Sequence, residues 1–217
     1  MSSSTFLPEL LRGTGITVQI LVLSAIFTFV IAFVAGFGRL SRSRIVRRIT
    51  AVYVELFRGT SLLVQMFWIF FALPAFGLEL SPLLAGVIAL SLNYGAYASE
   101  IVRGAIQAVP HGQTEAAIAL NMTRWQRMRF VILPQALTIM LPGFCNTSIE
   151  LLKGTSLVSL ITLGDLTYQA MMLRNSYTSQ QGEIFFLLLV LYFVIALPLI
   201  LTARWLEKRA SKGVATR

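Results

Sequence analysis

Long apolar runs, separated by short basic or polar segments, dominate the chain. A helix needs about 20 predominantly apolar residues to cross a hydrocarbon core of ~30 Å. Charge-free runs of about that length lie at 13–38, 59–78, 80–99, 130–149 and 184–203. A further charge-free run, 154–164, has 11 residues and is too short to cross. The pattern therefore predicts five transmembrane helices, with a short element between the fourth and the fifth.

The composition agrees with an integral membrane protein. Hydrophobic residues make up 56% of the 217 residues and charged residues only 12%, which is about half the share usual in a globular domain. A soluble domain of this size would need more polar surface. We therefore expect a single all-α integral membrane domain over residues 1–217.

The positions of the basic residues predict the orientation of this domain in the membrane. The net charge is +9, and the basic residues cluster after the first, third and fifth predicted spans, at 39–48, 103–129 and 204–217. Five spans place all three clusters on one side, which the positive-inside rule makes the cytoplasm. The N-terminus is then outside and the C-terminus cytoplasmic. We expect these charges to meet anionic membrane lipid rather than nucleic acid.

A polar helical segment, 113–137, interrupts the apolar pattern on the predicted cytoplasmic side. "TEAAIAL" is a strong helix former, and Glu115 would be favourable at a helix N-terminus. Asn121 suits a left-handed residue that ends this helix. Thr123 and Gln126 have the spacing of a capping box that starts a second helix, and Pro134 suits the first turn of the fourth span. We predict two short helices with a sharp bend in a loop over 104–129.

The alanines of this loop suggest two uses for it. Ala116 and Ala117 present a smooth surface that another protein backbone can approach closely, as a docking element requires. The alternative is an amphipathic helix that lies on the lipid surface.

The same stretch carries a family resemblance. "EAAIALNMTRWQRMRFVILP" resembles the EAA loop of ABC importer permeases, whose pattern is E-A-A-x3-G-x9-I-x-L-P. The sequence departs from this pattern at two positions: Asn121 replaces the glycine, and Val131 replaces the isoleucine. The resemblance implies a coupling helix that sits in a cleft of a separate ABC ATPase. The residues that match are Glu115, Ala116, Ala117, Leu133 and Pro134.

Other stretches extend this resemblance over nearly the whole chain. "VELFRGTSLLVQMFW", "YASEIVRGAIQAVPHGQTEAA" and "NTSIELLKGTSLVSLI" resemble the polar-amino-acid uptake branch of these permeases. "SLLVQMFWIFFALPAFG" and "AIQAVPHGQTEAAIALNMT" most resemble permeases of ectoine and hydroxyectoine importers. The resemblance implies a type I ABC importer fold in a bacterial inner membrane. It also implies three partners: a second copy or a sister permease, an ABC ATPase, and an extracytoplasmic solute-binding protein.

The chain lacks the motifs of an enzyme. It has no G-x-x-x-x-G-K-[ST] phosphate loop, and its single histidine and single cysteine, His111 and Cys145, are too few for a usual zinc site. We therefore expect a non-catalytic subunit with no cofactor or metal of its own, while ATP and Mg bind the partner ATPase.

Polar residues inside the predicted spans are candidates for a substrate pathway, because polar groups are costly there. Two sets recur at helical spacing, so each would line one helix face. They are Asn93, Tyr97 and Glu100 in the third span, and Asn146, Glu150 and Lys153 at the end of the fourth.

The alternative for these charged residues is local ion pairing near the membrane edges. It would pair Glu100 with Arg103 and Glu150 with Lys153, and the same spacing predicts a structural pair between Glu55 and Arg58. In the pathway hypothesis, Glu150 and Lys153 offer both signs of charge to a zwitterion.

Three functions of different classes fit a chain with these features. The first is the permease of an ATP-driven importer, the second a secondary transporter or channel protomer, and the third a non-transporting membrane scaffold or receptor subunit. The coupling loop favours the first, because a secondary transporter does not need an ATPase docking site.

Overall fold

The computed structural model describes residues 6–212, and every regular element within that range is a helix. The predicted domain also includes residues 1–5 and 213–217, with the outer N-terminus and the end of the basic tail, and these lie outside the described residues. The α-helices in chain order are α1 (Leu7–Arg39), α2 (Arg44–Gly59), α3 (Leu62–Phe67), α4 (Pro82–Ala108), α5 (His111–Ala119), α6 (Arg124–Gln126), α7 (Leu133–Thr155), α8 (Leu166–Ser176) and α9 (Gln181–Lys212).

Helix α1 begins six residues before the predicted run 13–38, at Leu7. Phe6 and Leu10 are fully buried in an apolar cluster that also holds Leu166 of α8 and Ile184 of α9. Packing against α8 and α9 thus extends the helix beyond its charge-free stretch. Pro8 is tolerated in the first turn because its missing N–H would have no intrahelical acceptor.

Helices α1 and α4 pack closely because small residues line their contact. A Cβ added at Gly36 would lie 2.7 Å from the Cβ of Val102, and one added at Gly95 would lie 2.7 Å from Ile31. Ala32 is also fully buried between these helices. Small residues at such contacts are typical of membrane helix pairs, where close van der Waals packing replaces the hydrophobic effect.

The predicted second span, 59–78, is not one straight helix. The chain bends by 106° between Arg44–Gly59 and Leu62–Phe76, and Thr60 and Ser61 at the bend have extended backbones. After α3, the second arm continues as a π-helical turn, Trp68–Ala72, and then a 3-10 turn, Leu73–Phe76. The break lies at the start of the predicted run, at a position that hydropathy does not report.

The predicted fourth span, 130–149, lies inside a longer continuous helical run, 124–161. A π-helical turn, Arg127–Ile132, joins α6 to α7, and the Leu133 N–H bonds the Met128 carbonyl five residues back. Pro134 lies in the first turn of α7, as predicted, although the π-helical turn extends the helical run before it. At the other end, α7 continues into a 3-10 turn, Ser156–Ile161, so the short element 154–164 is the end of this run.

Within residues 6–212, three helical segments are long and apolar enough to cross a membrane, namely Leu7–Arg39, Arg124–Ile161 and Thr178–Leu206. The bent pair would add a fourth. Helix α4 contains most of the predicted span 80–99 but is not one of these segments, and it carries Asn93, Tyr94 and Tyr97 in its middle. The count of five spans therefore stays a prediction.

Candidate functional site

The loop between α4 and α7 has the bend that its sequence predicts. Helix α5 ends at Ala119, and Asn121 takes the left-handed conformation with φ 56°. The Met122 N–H bonds the Ala117 carbonyl at 3.0 Å, and the Asn121 N–H bonds the Ile118 carbonyl at 2.9 Å. These two bonds form a Schellman motif, so asparagine fills the position that the family pattern gives to glycine.

The predicted capping box starts the helix after the bend. The Thr123 N–H donates to the Gln126 side-chain oxygen at 2.8 Å, and the Gln126 N–H donates to the Thr123 hydroxyl oxygen at 3.4 Å. Both ends of the bend are therefore held by local hydrogen bonds, and the loop is not a slack linker.

The surface of α5 differs from the expectation in two respects. The helix begins at His111, so Glu115 lies in its middle and cannot act at its N-terminus. Ala117 is only 3% exposed, whereas Glu115 and Ala116 are exposed. Of the two alanines, only Ala116 is available to a partner protein.

The same loop also exposes large apolar side chains. Ile118 is 54% exposed, Leu120 76% and Trp125 63%, and the guanidinium of Arg129 lies 4.8 Å above the Trp125 ring. An exposed apolar patch rimmed by a cation is typical of a protein interaction surface.

The loop is joined to α7 near the end of the family motif. The Gln135 side-chain amide donates to the Gln113 side-chain oxygen at 3.4 Å and to the Val131 carbonyl at 2.9 Å. Leu133 is half-buried and Pro134 exposed, directly after the π-helical turn. The bond between Gln135 and Gln113 therefore connects α5 to α7, the helix that carries Glu150.

A polar cavity of about 420 Å³ lies beside the 106° bend. Three of the six predicted pathway residues, Asn93, Tyr97 and Glu150, contribute to its wall. Glu100, Asn146 and Lys153 do not line it, and their place in a substrate pathway stays a prediction. The lining is Thr60, Ser61, Leu62, Asn93, Tyr94, Tyr97 and Glu150.

Side chains of α4 hold this cavity together by binding backbone carbonyls at the ends of α2 and α7. The Asn93 amide donates to the Phe57 carbonyl at 3.0 Å. The Tyr97 hydroxyl donates to the Arg58 carbonyl at 3.2 Å, and the Tyr94 hydroxyl donates to the Glu150 carbonyl at 3.0 Å. The backbone groups freed by the break are therefore satisfied inside the protein, as a membrane interior requires.

Glu100 belongs to an ion-pair cluster next to the cavity. Its carboxylate lies 2.7 Å from Arg103, 3.8 Å from Arg39 and 3.9 Å from Arg58. The local pairing of Glu100 with Arg103 is therefore present. The predicted Glu55–Arg58 pair is wrong, because Glu55 pairs with Arg39 at 3.7 Å.

The second half of the pathway hypothesis is only partly supported. Glu150 and Lys153 are both exposed, and no ion pair joins them in the part of the chain that the structure describes. Asn146 is exposed one turn before Glu150. The spacing places these side chains on one helix face, but only Glu150 reaches the cavity.

The sequence reasoning missed Thr60, Ser61, Gln65 and Tyr94. The Gln65 side chain donates to Thr60 Oγ1 at 2.6 Å and accepts from Asn93 at 3.0 Å. For Thr60 and Ser61 the available signal was a repeat: E-L-F-R-G-T-S-L at 55–62 matches E-L-L-K-G-T-S-L at 150–157. The first copy contributes Thr60, Ser61 and Leu62 to the cavity wall, and the second contributes Glu150.

Asp165 is a buried acid near the predicted outer side, between the 3-10 turn and α8. Its carboxylate caps α8 by accepting from the Thr167 N–H at 3.1 Å and the Tyr168 N–H at 3.0 Å. Thr167 Oγ1 in turn lies 2.8 Å from the Tyr192 hydroxyl. Burial nevertheless raises the pKa of Asp165 from 3.8 to about 6, because an ionised carboxylate is poorly solvated there.

Comparison with known proteins adds a family match. Residues 28–212 match the model of the binding-protein-dependent transport system inner membrane component. A probable amino-acid ABC transporter permease protein of Sinorhizobium fredii is 49% identical over 213 residues, covering 95% of this chain and 89% of that protein. The L-cystine transport system permease protein TcyB of Bacillus subtilis is 40% identical, with 97% and 90% covered. The glutamine transport system permease protein GlnP of Escherichia coli is 38% identical, with 94% and 93% covered.

Solved structures agree with this match. A crystal structure of an amino acid ABC transporter with histidines superposes with a TM-score of 0.88 at 34% identity, over 95% of this chain and 96% of that one. An inward-facing structure of the MetNI methionine ABC transporter superposes with a TM-score of 0.72 at 22% identity, over 95% and 99%. The second likeness concerns the fold alone.

Proposed function

The chain belongs to the family of binding-protein-dependent transport system inner membrane components and is the permease subunit of an amino-acid ABC importer. On that premise, we propose that it lines the path by which a polar amino acid, or an amino-acid-like zwitterion, enters the cytoplasm. It has the type I ABC importer permease fold and is not an enzyme, because its relatives are permease subunits.

The polar cavity carries this proposal. An acidic side chain such as Glu150 is costly in a membrane protein unless it meets water, a substrate or a partner. Beside it, Asn93 and Tyr97 supply an amide and a hydroxyl to a cavity of about 420 Å³, which is the size range of small-molecule sites. Glu150 would bind the ammonium group of the substrate.

The partners in this proposal follow from the exposed surfaces. Asn146, Glu150 and Lys153 are exposed on one face of α7, and a second copy or a sister permease would shield them from lipid. The exposed apolar side chains of the coupling loop, with Ala116 on the same loop, would dock an ABC ATPase that holds ATP and Mg. An extracytoplasmic solute-binding protein would deliver the substrate on the side of the N-terminus.

Two lines of support point to different substrates within the same chemical class. Residue resemblance favours ectoine or hydroxyectoine, whereas the named relatives transport cystine and glutamine. All of these molecules carry a carboxylate and a cationic or polar nitrogen group. We therefore propose this class of substrate, and the uptake measurement identifies which of its members is transported.

The test is ATP-driven uptake in proteoliposomes that contain the permease, its ATPase and its binding protein. Radiolabelled ectoine, hydroxyectoine, cystine, glutamine and arginine are compared in parallel. Uptake of none of them, or uptake without ATP, would contradict the proposal.

Glu150→Gln removes the cavity charge and keeps the shape of the side chain. We expect uptake to fall at least about tenfold, since a hydrogen bond to a charged group is worth about 1.5–3 kcal/mol. Glu55→Gln is the matched control, because Glu55 holds the same position in the first repeat but is 75% exposed and outside the cavity. Equal effects of both substitutions would remove Glu150 from the pathway.

The coupling loop predicts a second effect, on co-purification of the ATPase and on its stimulation by substrate. Ala116→Trp should weaken docking by about 1–3 kcal/mol through overpacking, whereas Ala108→Trp, at an exposed position at the end of α4 and outside α5, should not. Asn121→Gly should be nearly neutral and Asn121→Val harmful, because only glycine accepts φ 56° without strain. Ala117 is unsuitable, since a bulky residue there would disrupt this chain itself. Full stimulation of the ATPase by Ala116→Trp would refute the docking assignment.

A further inference from the structure

Arg58 lies at the edge of the polar cavity without lining it. Its guanidinium carbon is 5.3 Å from the centroid of the Tyr97 ring, and its carbonyl accepts the Tyr97 hydroxyl at 3.2 Å. Tyr97 is part of the cavity wall. The backbone of Arg58 is therefore fixed at the rim, while its long side chain extends over a ring that faces the cavity.

The guanidinium of Arg58 is only loosely held. Its nearest carboxylate is Glu100, at 3.9 Å, beyond hydrogen-bond length. Glu100 already accepts three hydrogen bonds from Arg103, at 2.7, 3.1 and 3.2 Å. Since the Arg58 side chain is 43% exposed, it can leave Glu100 at little cost to the ion-pair cluster.

The cavity needs a positive group if it is to bind both ends of a zwitterion. Glu150 is the one charged residue in its lining, and Lys153, the cation that the sequence suggests, does not reach it. Arg58, by contrast, lies against the lining residue Tyr97. A guanidinium also matches a carboxylate better than an ammonium does, because its planar N–H groups bind both oxygens at once.

We propose that Arg58 binds the carboxylate of the transported amino acid, while Glu150 binds its ammonium group. This inference rests on the proposed function and names a specificity-determining residue for it. On binding, the guanidinium would exchange its loose contact with Glu100 for the substrate carboxylate. The site would then prefer amino acids over amines that lack the carboxylate.

The test compares amino acids with their decarboxylated counterparts. Three pairs are used: L-cystine with cystamine, L-glutamine with 4-aminobutanamide, and L-arginine with agmatine. Equilibrium binding of each is measured on the purified permease–ATPase complex in lipid nanodiscs, without binding protein, so that the affinity reports the membrane site. We expect the wild-type complex to bind the amino acid of at least one pair about tenfold or more tightly than its amine.

Arg58→Gln should abolish this preference, because it should weaken binding of the amino acid and leave binding of the amine unchanged. Arg58→Lys should retain part of the preference. Arg48→Gln is the matched control, since Arg48 is exposed on the same helix and far along it from the bend. Glu100→Gln removes the same ion pair as Arg58→Gln but should keep the preference.

Two results would overturn the proposal. One is an unchanged preference in Arg58→Gln. The other is an equal loss of affinity for the amino acid and for its amine, which would make the role of Arg58 structural. Failure of the wild-type complex to bind or transport any of the amino acids would instead contradict the proposed function on which this inference rests.

Discussion

The sequence E-L-x-[R/K]-G-T-S-L occurs twice, and the chain folds differently at the two copies. In the first copy, 55–62, α2 ends at Gly59, Thr60 is extended with φ −122° and ψ 157°, and the chain turns by 106°. In the second copy, 150–157, helical geometry continues through Ser156, with φ −58° and ψ −24°, into a 3-10 turn.

The surroundings of the two copies account for the difference. At the first, the Gln65 amide donates to the Phe57 carbonyl at 2.9 Å and to the Thr60 hydroxyl at 2.6 Å, so groups released by the break find partners. At the second, Gly154 lies directly against the Tyr94 side chain, which holds the helix in place. The same residues thus adopt two conformations because tertiary contacts outweigh local propensity.

The largest expected effect concerns the buried acid that follows the second copy. The pKa of Asp165 is about 6 in the folded protein and 3.8 ordinarily. Its contribution to stability is therefore present below about pH 4 and lost as the pH rises through about 6, a change of about 3 kcal/mol. Asp165→Asn keeps a capping side chain and should remove this pH dependence.

The measurement is the apparent melting temperature of purified protein in detergent between about pH 4 and pH 8. Glu79→Gln is the control, because Glu79 is an exposed acid that follows the first copy. Parallel curves for wild type and Asp165→Asn would show that Asp165 does not titrate in this range.

The glycines of the two copies should respond differently to a methyl group. Gly154→Ala would force Tyr94 away and should destabilise the protein by about 1–3 kcal/mol. Gly59→Ala meets nothing within 4 Å and should be neutral or slightly stabilising. Thermal melting of both variants under one condition tests this, and equal melting temperatures would mean that packing at Gly154 does not hold the second copy.

The smallest effect should come from the two tyrosines that bond the two copies. Tyr94→Phe removes the bond to the Glu150 carbonyl, and Tyr97→Phe removes the bond to the Arg58 carbonyl. Each should cost about 1 kcal/mol. We expect Tyr97→Phe also to weaken substrate binding, because loss of the Tyr97 hydroxyl frees the backbone of Arg58. If Tyr94→Phe weakened substrate binding and Tyr97→Phe did not, the second copy and not the first would position the substrate.

Much of the coupling loop was predictable because its signals are local. The left-handed conformation of Asn121 and the capping box of Thr123 and Gln126 depend on residues within one or two turns. The position of Glu115 in the middle of α5 was not predictable, since the first turn of α5, "HGQT", carries no strong helix-start signal. The burial of Ala117 was also invisible, because it depends on the contact between α5 and the π-helical turn.

The cavity was predictable only in part. Helical spacing on α4 and α7 identifies Asn93, Tyr97 and Glu150, but it equally selects Glu100, Asn146 and Lys153. Which of these meet depends on the crossing of α4 with α7 and on the break at Thr60. The repeat that marks this break is visible in the sequence, although its two different conformations are not.

The sequence alone determined the membrane environment, the helical class, the family and the bend of the coupling loop, because these depend on hydropathy, short-range hydrogen bonding and ordered motifs. The tertiary structure decided where α2 and α3 separate, which polar side chains face one cavity, and that Arg58 rather than Lys153 stands beside it. These features arise from contacts between residues far apart in the chain. The Asn93 bond to the Phe57 carbonyl spans 36 positions and the Tyr94 bond to the Glu150 carbonyl spans 56, and no local pattern encodes such pairings.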